Sequence, residues 1–332
     1  MKLLKKESES FRMDNNIKEN PNNIHVALAF DNNYIVHIYA MITSVFHNNR
    51  NNKIIFHTIA TGISDNEKSK LNTYAKDNNA EIIFYDISQA LLKANIEIPA
   101  DSYFTVATFY RLFFSSLLDP AIKKLLYIDP DTIVIGDLRE LYKTDIGDFP
   151  IAAIPDPYFE TREELGIKEK GKYFNAGVML IDLKNWREQK VSENVLTYVR
   201  MYPDRVPYLD QDGLNATLIN RWLMLDNKFN FTSSDVKLQI PAKELIKNKV
   251  IIHYTSSRKP WNALTRNKLR YLYHYYLKMS PKSNEKNYVD FAWNIKSIWA
   301  FIRIRIKEFY FDHRIDKMFP VKKWIDSSDI YY

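Results

Sequence analysis

Short runs of hydrophobic residues alternate with amphipathic stretches along the first half of the chain, from about Asn22 onward. Continuous apolar runs bounded by polar residues are typical of strands that are buried on both faces of a sheet. They predict strands at Ile24–Phe30, Lys53–Ala60, Glu81–Ile87 and Lys123–Asp129. The intervening patterns predict helices at residues 34–46, 66–78 and 105–118, the second capped by Ser64 and Asp65. This rhythm predicts an α/β fold, with a parallel, doubly wound sheet and helices on both of its faces.

The segment "YIDPDTIVIGDL" (Tyr127–Leu138) ends an apolar run with two aspartates on either side of a proline. Asp129 and Asp131 point the same way along an extended chain, and Pro130 holds Asp129 out of a helix. Ligands of open α/β sheets bind beyond the carboxyl ends of the strands, where Asp31 also lies. Two hard oxygen ligands held in this way suit Mg²⁺ or Mn²⁺. The alternative is a turn with two solvated acids, because Asp-Pro is common in turns.

The segment "HYTSSRKPW" (His253–Trp261) follows another apolar run, so we expect its histidine to lie at a strand end as well. The imidazole of His253 could complete a manganese site, and Lys259 offers a point charge for a diphosphate. The alternative is that His253 is an ordinary hydrogen-bonded group of the core or surface, the commoner state of a lone histidine.

Two other polar segments admit both a functional and a structural interpretation. Asn175, Ala176 and Gly177 in "YFNAGVMLIDL" would let a ligand approach the backbone closely, or they would form a β-bulge. Asp210 in "DQDGLN" is by default a helix N-cap, although a carboxylate beside an amide can also bind sugar hydroxyls. The second half also predicts helices at residues 185–202 and from Leu264 onward.

Composition narrows the classes of protein. The chain has 332 residues, 46% of them hydrophobic, which is ample for a large core, and it has no cysteine for disulfides or thiol catalysis. The start lacks the apolar region of a secretory signal, and no run approaches the roughly 20 apolar residues of a spanning helix, so we expect a soluble or peripheral protein. No glycine-rich phosphate loop and no G-x-S-x-G elbow occurs, which argues against a nicotinamide enzyme, a P-loop ATPase and a serine hydrolase.

Taken together and in this order, the motifs resemble glycosyltransferase family 8, which includes glycogenin and bacterial lipooligosaccharide galactosyl- and glucosyltransferases. The resemblance rests on "ALAFDNNY", "ATFYRL", "LLYIDPDTIV", "YFNAGVMLIDLKNW", "LDQDGLN" and "HYTSSRKPW", and it spans roughly Asn22 to Trp261. It implies a GT-A type nucleotide-sugar-binding fold, a Rossmann-like, mostly parallel sheet flanked by helices. It also implies transfer of a hexose from UDP-galactose or UDP-glucose to a saccharide acceptor, with Mn²⁺ or Mg²⁺ and with retention at the anomeric carbon. Lipopolysaccharide or other cell-surface glycan synthesis would be the setting.

The resemblance also implies roles for individual residues. Asp129 and Asp131 match the family's D-x-D motif and His253 its third metal ligand. The nucleotide is expected to bind at Ala29, Asp31, Asn33, Tyr34, Pro130 and Ser256, with the diphosphate on Lys259. The sugar is expected to contact Arg111, Asp129, Asn175, Asp210 and Gln211, with Asp156 of "AIPDPY" nearby. Gln211, Asp210 and Asp156 form the expected catalytic set. The family often has glycine where Ser256 stands, which is a departure in this chain.

Two routes to retention stay open from the sequence. The acceptor hydroxyl could attack from the face of the leaving group while Gln211 steadies the oxocarbenium-like centre. Alternatively, a nearby carboxylate could act as the nucleophile.

The ends of the chain are expected to lie outside this catalytic domain, which we place at residues 22–280, after an N-terminal extension at 1–21. In the tail, 281–332, a predicted helix carries basic residues on one side and apolar residues beside them. The basic residues are Lys296, Arg303, Lys307 and Arg314, and the apolar ones are Ile295, Trp299, Ile302, Ile306 and Phe309. Such a helix can lie in an anionic membrane surface or pack on the main domain. We therefore expect a cytoplasmic enzyme with a peripheral contact on the inner face of the membrane, and an acceptor that is an oligosaccharide or a lipid-linked saccharide.

The formal charge of +7 and a pI of about 9.1 raise one rival from another class, a basic nucleic-acid-binding protein without catalysis. The basic residues are spread along the chain, and no recognised nucleic-acid-binding motif is present. We expect no nucleic-acid partner.

Overall fold

A computed structural model describes residues 23–88, 91, 106–233, 236, 239–285 and 290–313. The predicted N-terminal extension (1–21), Thr105 at the start of one predicted helix, and Arg314 of the predicted tail helix lie outside the described residues.

A seven-stranded sheet forms the centre of the described fold, in the order β3-β2-β1-β4-β7-β6-β8. Its strands are β1 (Asn23–Asp31), β2 (Lys53–Thr61), β3 (Ala80–Phe84), β4 (Lys124–Ile128), β6 (Ile151–Pro155), β7 (Phe174–Asp182) and β8 (Leu223–Met224). Strand β1 pairs in parallel with both β2 and β4, whereas β7 runs antiparallel to β4 and β6. The predicted α/β fold with a mostly parallel sheet is confirmed, with β7 as the strand that reverses direction.

Both faces of the sheet are buried, which explains why the strands read as continuous apolar runs. On β1, Val26, Leu28 and Phe30 belong to the core on one face, and Ala27 and Ala29 belong to the core on the other. The helices that cover these faces and complete the described fold are α1 (Ile35–Asn48), α2 (Asp65–Asp77), α3 (Phe114–Leu117), α4 (Arg139–Lys143), α5 (Leu183–Glu188), α6 (Val191–Met201), α7 (Leu209–Thr217), α8 (Ala242–Leu245), α9 (Arg270–Met279) and α10 (Ile295–Asp312). Short 3₁₀ helices lie at Asn32–Tyr34, Val106–Phe113, Glu163–Leu165, Pro203–Arg205 and Asn227–Phe229.

Several predicted elements have different bounds or a different type. The helix predicted at 105–118 is a 3₁₀ helix followed by the single turn of α3, because packing of the fully buried Phe109 and Leu112 against the sheet overrides local helix propensity. The helix predicted at 185–202 is interrupted at Lys190, which has a φ of 51°. The helix predicted from Leu264 begins only at Arg270. Ser64 caps α2 as predicted and accepts a hydrogen bond from the Glu67 amide.

A second, three-stranded sheet lies beside the main one, in the order β5-β10-β9. Its strands are β5 (Thr132–Val134), β9 (Phe231–Thr232) and β10 (Ile251–His253). Strand β5 starts directly after Asp131 and pairs antiparallel with β10, so that Thr132 faces His253. The small sheet therefore brings a distant histidine to the aspartates that end β4.

Helix α10, from the predicted tail, packs on the rest of the protein along one side. Phe311 and Glu308 are buried, and Asp312 lies 3.0 Å from the Lys268 ammonium and accepts a hydrogen bond from the Ala242 amide. The residues of the predicted apolar face of this helix are all exposed, namely Ile295, Trp299, Ile302, Ile306 and Phe309. Within the described part of the chain, no helix combines the length and apolar character needed to cross a bilayer.

Candidate active site

The candidate site lies at the carboxyl ends of β1 and β4, which are neighbours in the sheet. Their register pairs Ala27 with Tyr127, so that Asp31 and Asp129 leave the sheet at the same edge. The two aspartates predicted to lie at ligand-binding strand ends are therefore at the same edge of the sheet.

Asp129, Asp131 and His253 converge at this edge, and one ligand-type atom from each lies within 4.8 Å of the others. The His253 Nε2 atom is 3.2 Å from Asp131 Oδ1 and 3.9 Å from Asp129 Oδ2. The site offers two carboxylate oxygens, which suit either Mn²⁺ or Mg²⁺, and an imidazole nitrogen, which suits Mn²⁺. The turn with two solvated acids does not describe these side chains, because each is only 12–18% exposed.

Protein groups hold the Oδ1 atom of Asp129, which turns its Oδ2 atom toward His253. Asp129 Oδ1 accepts a hydrogen bond from the Tyr127 hydroxyl at 2.7 Å and lies 3.2 Å from the Arg111 guanidinium. Arg111 also lies 2.8 Å from Asp210, so that one buried cation bridges the two carboxylates. The two acids keep the pKa of Arg111 above its ordinary value despite burial.

Lys259 contributes the second cation of the site. Its ammonium is hydrogen-bonded to Asp131 Oδ2 and donates to the Tyr254 carbonyl at 2.8 Å. Burial disfavours the charged form of Asp131, but Lys259 and His253 outweigh it and hold the pKa of this carboxyl well below its usual range. Lys259 is thus placed beside the candidate metal ligands, where the oxygens of a diphosphate would also meet a bound cation.

Gly177 leaves the space in which these ligands meet. A Cβ at this position would lie 2.2 Å from His253 Cε1 and 2.7 Å from Asp129 Oδ2. The register between β6 and β7 also shifts here, from Ala153 opposite Met179 to Ile154 opposite Asn175. The β-bulge predicted as the alternative for "NAG" is therefore present. Its glycine leaves room for the side chains of His253 and Asp129, two of the candidate metal ligands.

The predicted sugar-contacting residues form one hydrogen-bonded group beside the ligand cluster. Gln211 Oε1 accepts from the Ala176 amide at 3.0 Å, and Gln211 Nε2 lies 3.3 Å from Asp156 Oδ2 and 3.0 Å from the Tyr173 hydroxyl. Asn175 Nδ2 donates to the same Asp156 oxygen at 3.0 Å. These contacts fix the orientation of the Gln211 amide, which is half-buried at the site.

Asp210 is not the N-cap of its helix, so that prediction was wrong. Helix α7 begins at Leu209 and is preceded by Tyr208, which places Asp210 inside the first turn with its side chain on Arg111. Leu209 adopts a left-handed φ of 48°, an unusual conformation for a bulky residue. Burial raises the pKa of the Asp210 carboxyl to about 6, although Arg111 opposes the shift.

The predicted nucleotide-contacting residues lie at and after the end of β1. Ala29 is buried in the strand, while Asp31 accepts a hydrogen bond from the Asn33 amide at 2.9 Å and starts the 3₁₀ helix that contains Tyr34. The Tyr34 ring meets Trp261 edge-on at 5.9 Å between centroids, which links this segment to the loop of Lys259.

Pro130 lies between the two aspartates and is half-buried, whereas Ser256 is exposed in the loop after β10. Ser256 has a φ of 61°, in the left-handed region that favours glycine. The departure from the family at this position therefore places an L side chain where the backbone conformation disfavours one.

Three residues that contact the predicted set had no distinguishing signal in the sequence. Tyr127 donates a hydrogen bond to Asp129, Tyr173 accepts one from Gln211, and Asn230 contacts both His253 and Asn175. The two tyrosines stand in apolar runs that read as core, and Asn230 is a single polar residue outside every motif.

Solved glycosyltransferases share this doubly wound sheet, which places the chain in the GT-A fold class. The solved structure of a galactosyltransferase, LgtC, in complex with donor and acceptor sugar analogs has a TM-score of 0.67 to this chain. It is 25% identical and matches 79% of this chain and 98% of its own. The glycosyltransferase GlyE of Streptococcus pneumoniae has a TM-score of 0.59, is 25% identical, and matches 76% of this chain and 60% of its own.

The sequence matches the family "Glycosyl transferase family 8" over residues 25–265, so the chain belongs to this family of glycosyltransferases. It is 30% identical to General stress protein A of Bacillus subtilis over 268 residues, 76% of this chain and 93% of that protein. It is 29% identical to a lipopolysaccharide 1,2-glucosyltransferase of Escherichia coli, over 72% of this chain and 73% of that protein. The resemblance found in the sequence is confirmed.

Proposed function

We propose that this glycosyltransferase is a retaining, metal-dependent hexosyltransferase that uses UDP-galactose or UDP-glucose as the sugar donor. The acceptor would be an oligosaccharide or a lipid-linked saccharide, in lipopolysaccharide or other cell-surface glycan synthesis on the cytoplasmic side of the membrane. The observation that carries the proposal is the convergence of Asp129, Asp131 and His253 beside the hydrogen-bonded Gln211 and Asp156. The relatives that are lipopolysaccharide glucosyl- and galactosyltransferases support the choice of hexose and setting.

The residues present fit a divalent cation. Asp129 Oδ2 and Asp131 Oδ1 both face His253 Nε2, and the absence of a side chain at Gly177 leaves room between them. These three side chains would hold Mn²⁺ or Mg²⁺, which when bound supplies Lewis-acid stabilisation of charge on the departing UDP.

The remaining groups would bind and orient the sugar nucleotide. Lys259 adds a positive charge for the diphosphate, and the end of β1 with Asp31, Asn33 and Tyr34 would receive the uridine. Arg111 would hold Asp129 and Asp210 in place, because its buried guanidinium lies 3.2 Å from the first carboxylate and 2.8 Å from the second. Asp210 and Asn175 would then hydrogen-bond the hydroxyls of the hexose.

Gln211 is the group that we propose acts on the anomeric centre. Its nitrogen and its oxygen are both held by partners, so the side chain is preorganised rather than mobile at the moment of reaction. An amide is a weak nucleophile, so this placement favours attack of the acceptor hydroxyl on the face that UDP leaves. Asp156, 3.3 Å from Gln211, is the carboxylate that a double displacement would need.

The proposal is tested by incubating the protein with a panel of UDP-sugars and Mn²⁺ and measuring UDP release. We expect release with UDP-galactose or UDP-glucose that stops on chelation of the metal, and an α-configured product by proton NMR. Release with no member of the panel, or a product of inverted configuration, would contradict it.

The role of Gln211 has a kinetic test. We expect Gln211→Ala to lower kcat more than it raises the KM for the sugar donor, because a group that acts on developing charge stabilises the transition state more than the ground state. If only KM rises, Gln211 is a binding residue and Asp156 becomes the candidate for the catalytic step.

The rival proposal of a nucleic-acid binder is decided by a parallel measurement. Binding to DNA or RNA at physiological salt, with no UDP release from any sugar nucleotide, would favour it. The buried pairing of Arg111 and Lys259 with carboxylates favours the enzyme, because these cations face the candidate site and not an open surface.

We also propose a peripheral contact between helix α10 and an anionic membrane surface. Trp299 is 66% exposed and Ile295 is 76% exposed, and Ile306 and Phe309 are exposed on the same helix. Basic residues stand beside this face, among them Lys296 and Arg303. Apolar insertion with flanking positive charge is the pattern of an interfacial helix, and each cation near an anionic surface contributes about 1 kcal/mol.

Sedimentation with phosphatidylglycerol and phosphatidylcholine vesicles tests the membrane contact. We expect binding to the anionic vesicles that falls with salt and falls again in the double variant Trp299→Ser, Ile306→Ser. Met201→Ser, which changes an exposed apolar residue on α6, is the matched control. Equal sedimentation of all three proteins would contradict the contact. Point variants are preferable to truncation after Ser280, because truncation would also remove the buried Phe311 and the contacts of Asp312 with Lys268 and the Ala242 amide.

A further inference from the structure

The orientation of the His253 ring is determined by a chain of hydrogen bonds that begins at a backbone amide. The Gly177 N–H donates to Asn175 Oδ1 at 3.0 Å, and a backbone N–H is always a donor. The facing atom of Asn175 is therefore its oxygen, and its nitrogen is the atom that meets Asp156 Oδ2. One covalently fixed donor thus settles which way the Asn175 amide is turned.

Asn230 carries this constraint to the histidine. Its nitrogen lies 2.9 Å from Asn175 Oδ1, so the amide group of Asn230 must be the donor there. Its oxygen then faces His253 Nδ1, also at 2.9 Å, and can only accept. The proton of the ring consequently sits on Nδ1. All three side chains are at most 6% exposed, which keeps water from competing for these bonds.

We infer that Asn230 is a positioning residue that holds the Nδ1–H of His253 and so directs Nε2, the other ring nitrogen, at the candidate metal site. This inference rests on the proposed metal-dependent function. Nε2 points at Asp131 Oδ1 and Asp129 Oδ2, and a ring whose proton is held on Nδ1 can offer its Nε2 lone pair to a cation bound between these two oxygens. A partner on the other ring nitrogen is the means by which proteins select the metal-binding tautomer of histidine.

The chain has a second consequence, because its other end reaches the sugar-side residues. Asp156 Oδ2 accepts from Asn175 and lies 3.3 Å from Gln211 Nε2. The ring that faces the metal ligands and the amide proposed to act on the sugar are therefore held by one continuous set of hydrogen bonds through Asn230 and Asn175.

The test measures Mn²⁺ binding without any sugar nucleotide, by electron paramagnetic resonance of the free ion. We expect Asn230→Leu to weaken Mn²⁺ binding by about 10- to 100-fold, as loss of a partner to a metal-bound histidine does elsewhere. Asn230→Asp keeps an acceptor for Nδ1–H but loses the donor to Asn175, so it should bind Mn²⁺ more tightly than Asn230→Leu does. Asn49→Leu removes another buried, hydrogen-bonded amide away from His253 and should leave Mn²⁺ affinity unchanged.

Nitrogen-15 NMR of the His253 ring in the metal-free protein gives a readout that does not need activity. We expect a proton on Nδ1 in the wild type and in Asn230→Asp at a pH of about 8, and a mixture of ring forms in Asn230→Leu. A wild-type ring with no proton on Nδ1, or an Asn230→Leu protein with wild-type Mn²⁺ affinity, would overturn the inference. If the wild type binds neither Mn²⁺ nor Mg²⁺, the proposed function fails, and the ring spectra alone decide the role of Asn230.

Discussion

The carboxyl edge of the main sheet and the outer side of helix α10 depart from the usual distribution of residues in opposite directions. At the sheet edge, Arg111, Asp210 and His253 are buried, although charged and polar side chains are rarely found in protein interiors. On the helix, Trp299 and Ile306 are exposed, although large apolar side chains normally lie inside. A buried group of charges indicates a site for a charged ligand, and an exposed apolar stripe indicates contact with an apolar surface.

The two regions also differ in how strongly they are held. Arg111 at the sheet edge has partners on three different elements, namely Asp129, Asp210 and the Ala176 carbonyl. Helix α10 is held by its other side, where Phe311 is buried and Asp312 contacts Lys268. The exposed apolar side chains do not contribute to holding it. We therefore expect single substitutions to have large effects in the first region and small ones in the second.

The largest effect should come from the aspartates themselves. We expect Asp131→Asn and Asp129→Asn each to lower metal-dependent turnover by at least about 100-fold, because each removes a charged ligand and several kcal/mol of transition-state stabilisation. Steady-state UDP release at saturating sugar donor is the measurement. Asp204→Asn, at an exposed carboxylate outside the site, is the control, and near-normal turnover of either site variant would show that these acids do not hold the metal.

A methyl group at Gly177 should have the next largest effect. Its Cβ would overlap the ring of His253, so we expect Gly177→Ala to lower the free energy of unfolding by about 1–3 kcal/mol and to weaken Mn²⁺ binding. Urea unfolding and Mn²⁺ titration are the two measurements. Gly147→Ala is a useful control, because its φ of 57° makes alanine strained there while nothing lies within 4 Å of the new Cβ. It should lose stability without losing Mn²⁺ affinity.

The fold and the site differ in how far the sequence could predict them. Four strands of the main sheet, β1 to β4, and the edge at which Asp31 and Asp129 leave it followed from apolar runs and the rule for strand ends. The antiparallel direction of β7 and the small sheet that carries His253 did not, because pairing between distant segments leaves no local pattern. Asn230 could not be recognised either, since its function depends on two partners, one of them 55 residues away.

A largely buried polar cluster away from the site consists of His25, His57 and Tyr85, whose side chains are hydrogen-bonding partners of one another. His25 and His57 lie on adjacent strands with ring nitrogens 2.9 Å apart, and the other nitrogen of His57 lies 2.8 Å from the Tyr85 hydroxyl. Burial lowers the pKa of His57 to about 3, and His25 adds to the shift. The neutral ring is thus the form that the folded protein favours.

The sign of the resulting pH dependence follows from proton uptake. Between about pH 6.5 and pH 3 the unfolded chain binds a proton at His57 that the folded protein does not, so stability falls as the pH falls through this window. From pH 7 to pH 5 the loss is about 2 kcal/mol. We expect chemical denaturation to show this extra loss in the wild type relative to His57→Gln. Parallel curves for the two proteins would mean that folding does not lower the pKa of His57.

The smallest predicted effect concerns Ser256, which lies between the two kinds of region as an exposed residue in the loop of the buried Lys259. A left-handed φ costs an L residue about 1–2 kcal/mol, whereas glycine adopts it freely but loses about 0.5–1 kcal/mol more backbone entropy on folding. We therefore expect Ser256→Gly to raise the free energy of unfolding by about 0.5 kcal/mol and not to raise the KM for the sugar donor. Ser257→Gly is the matched control, because the neighbouring residue has no positive φ to relieve and should only lose stability. If both glycine variants lose the same stability, the loop tolerates serine at this position without strain, and the departure from the family has no energetic consequence.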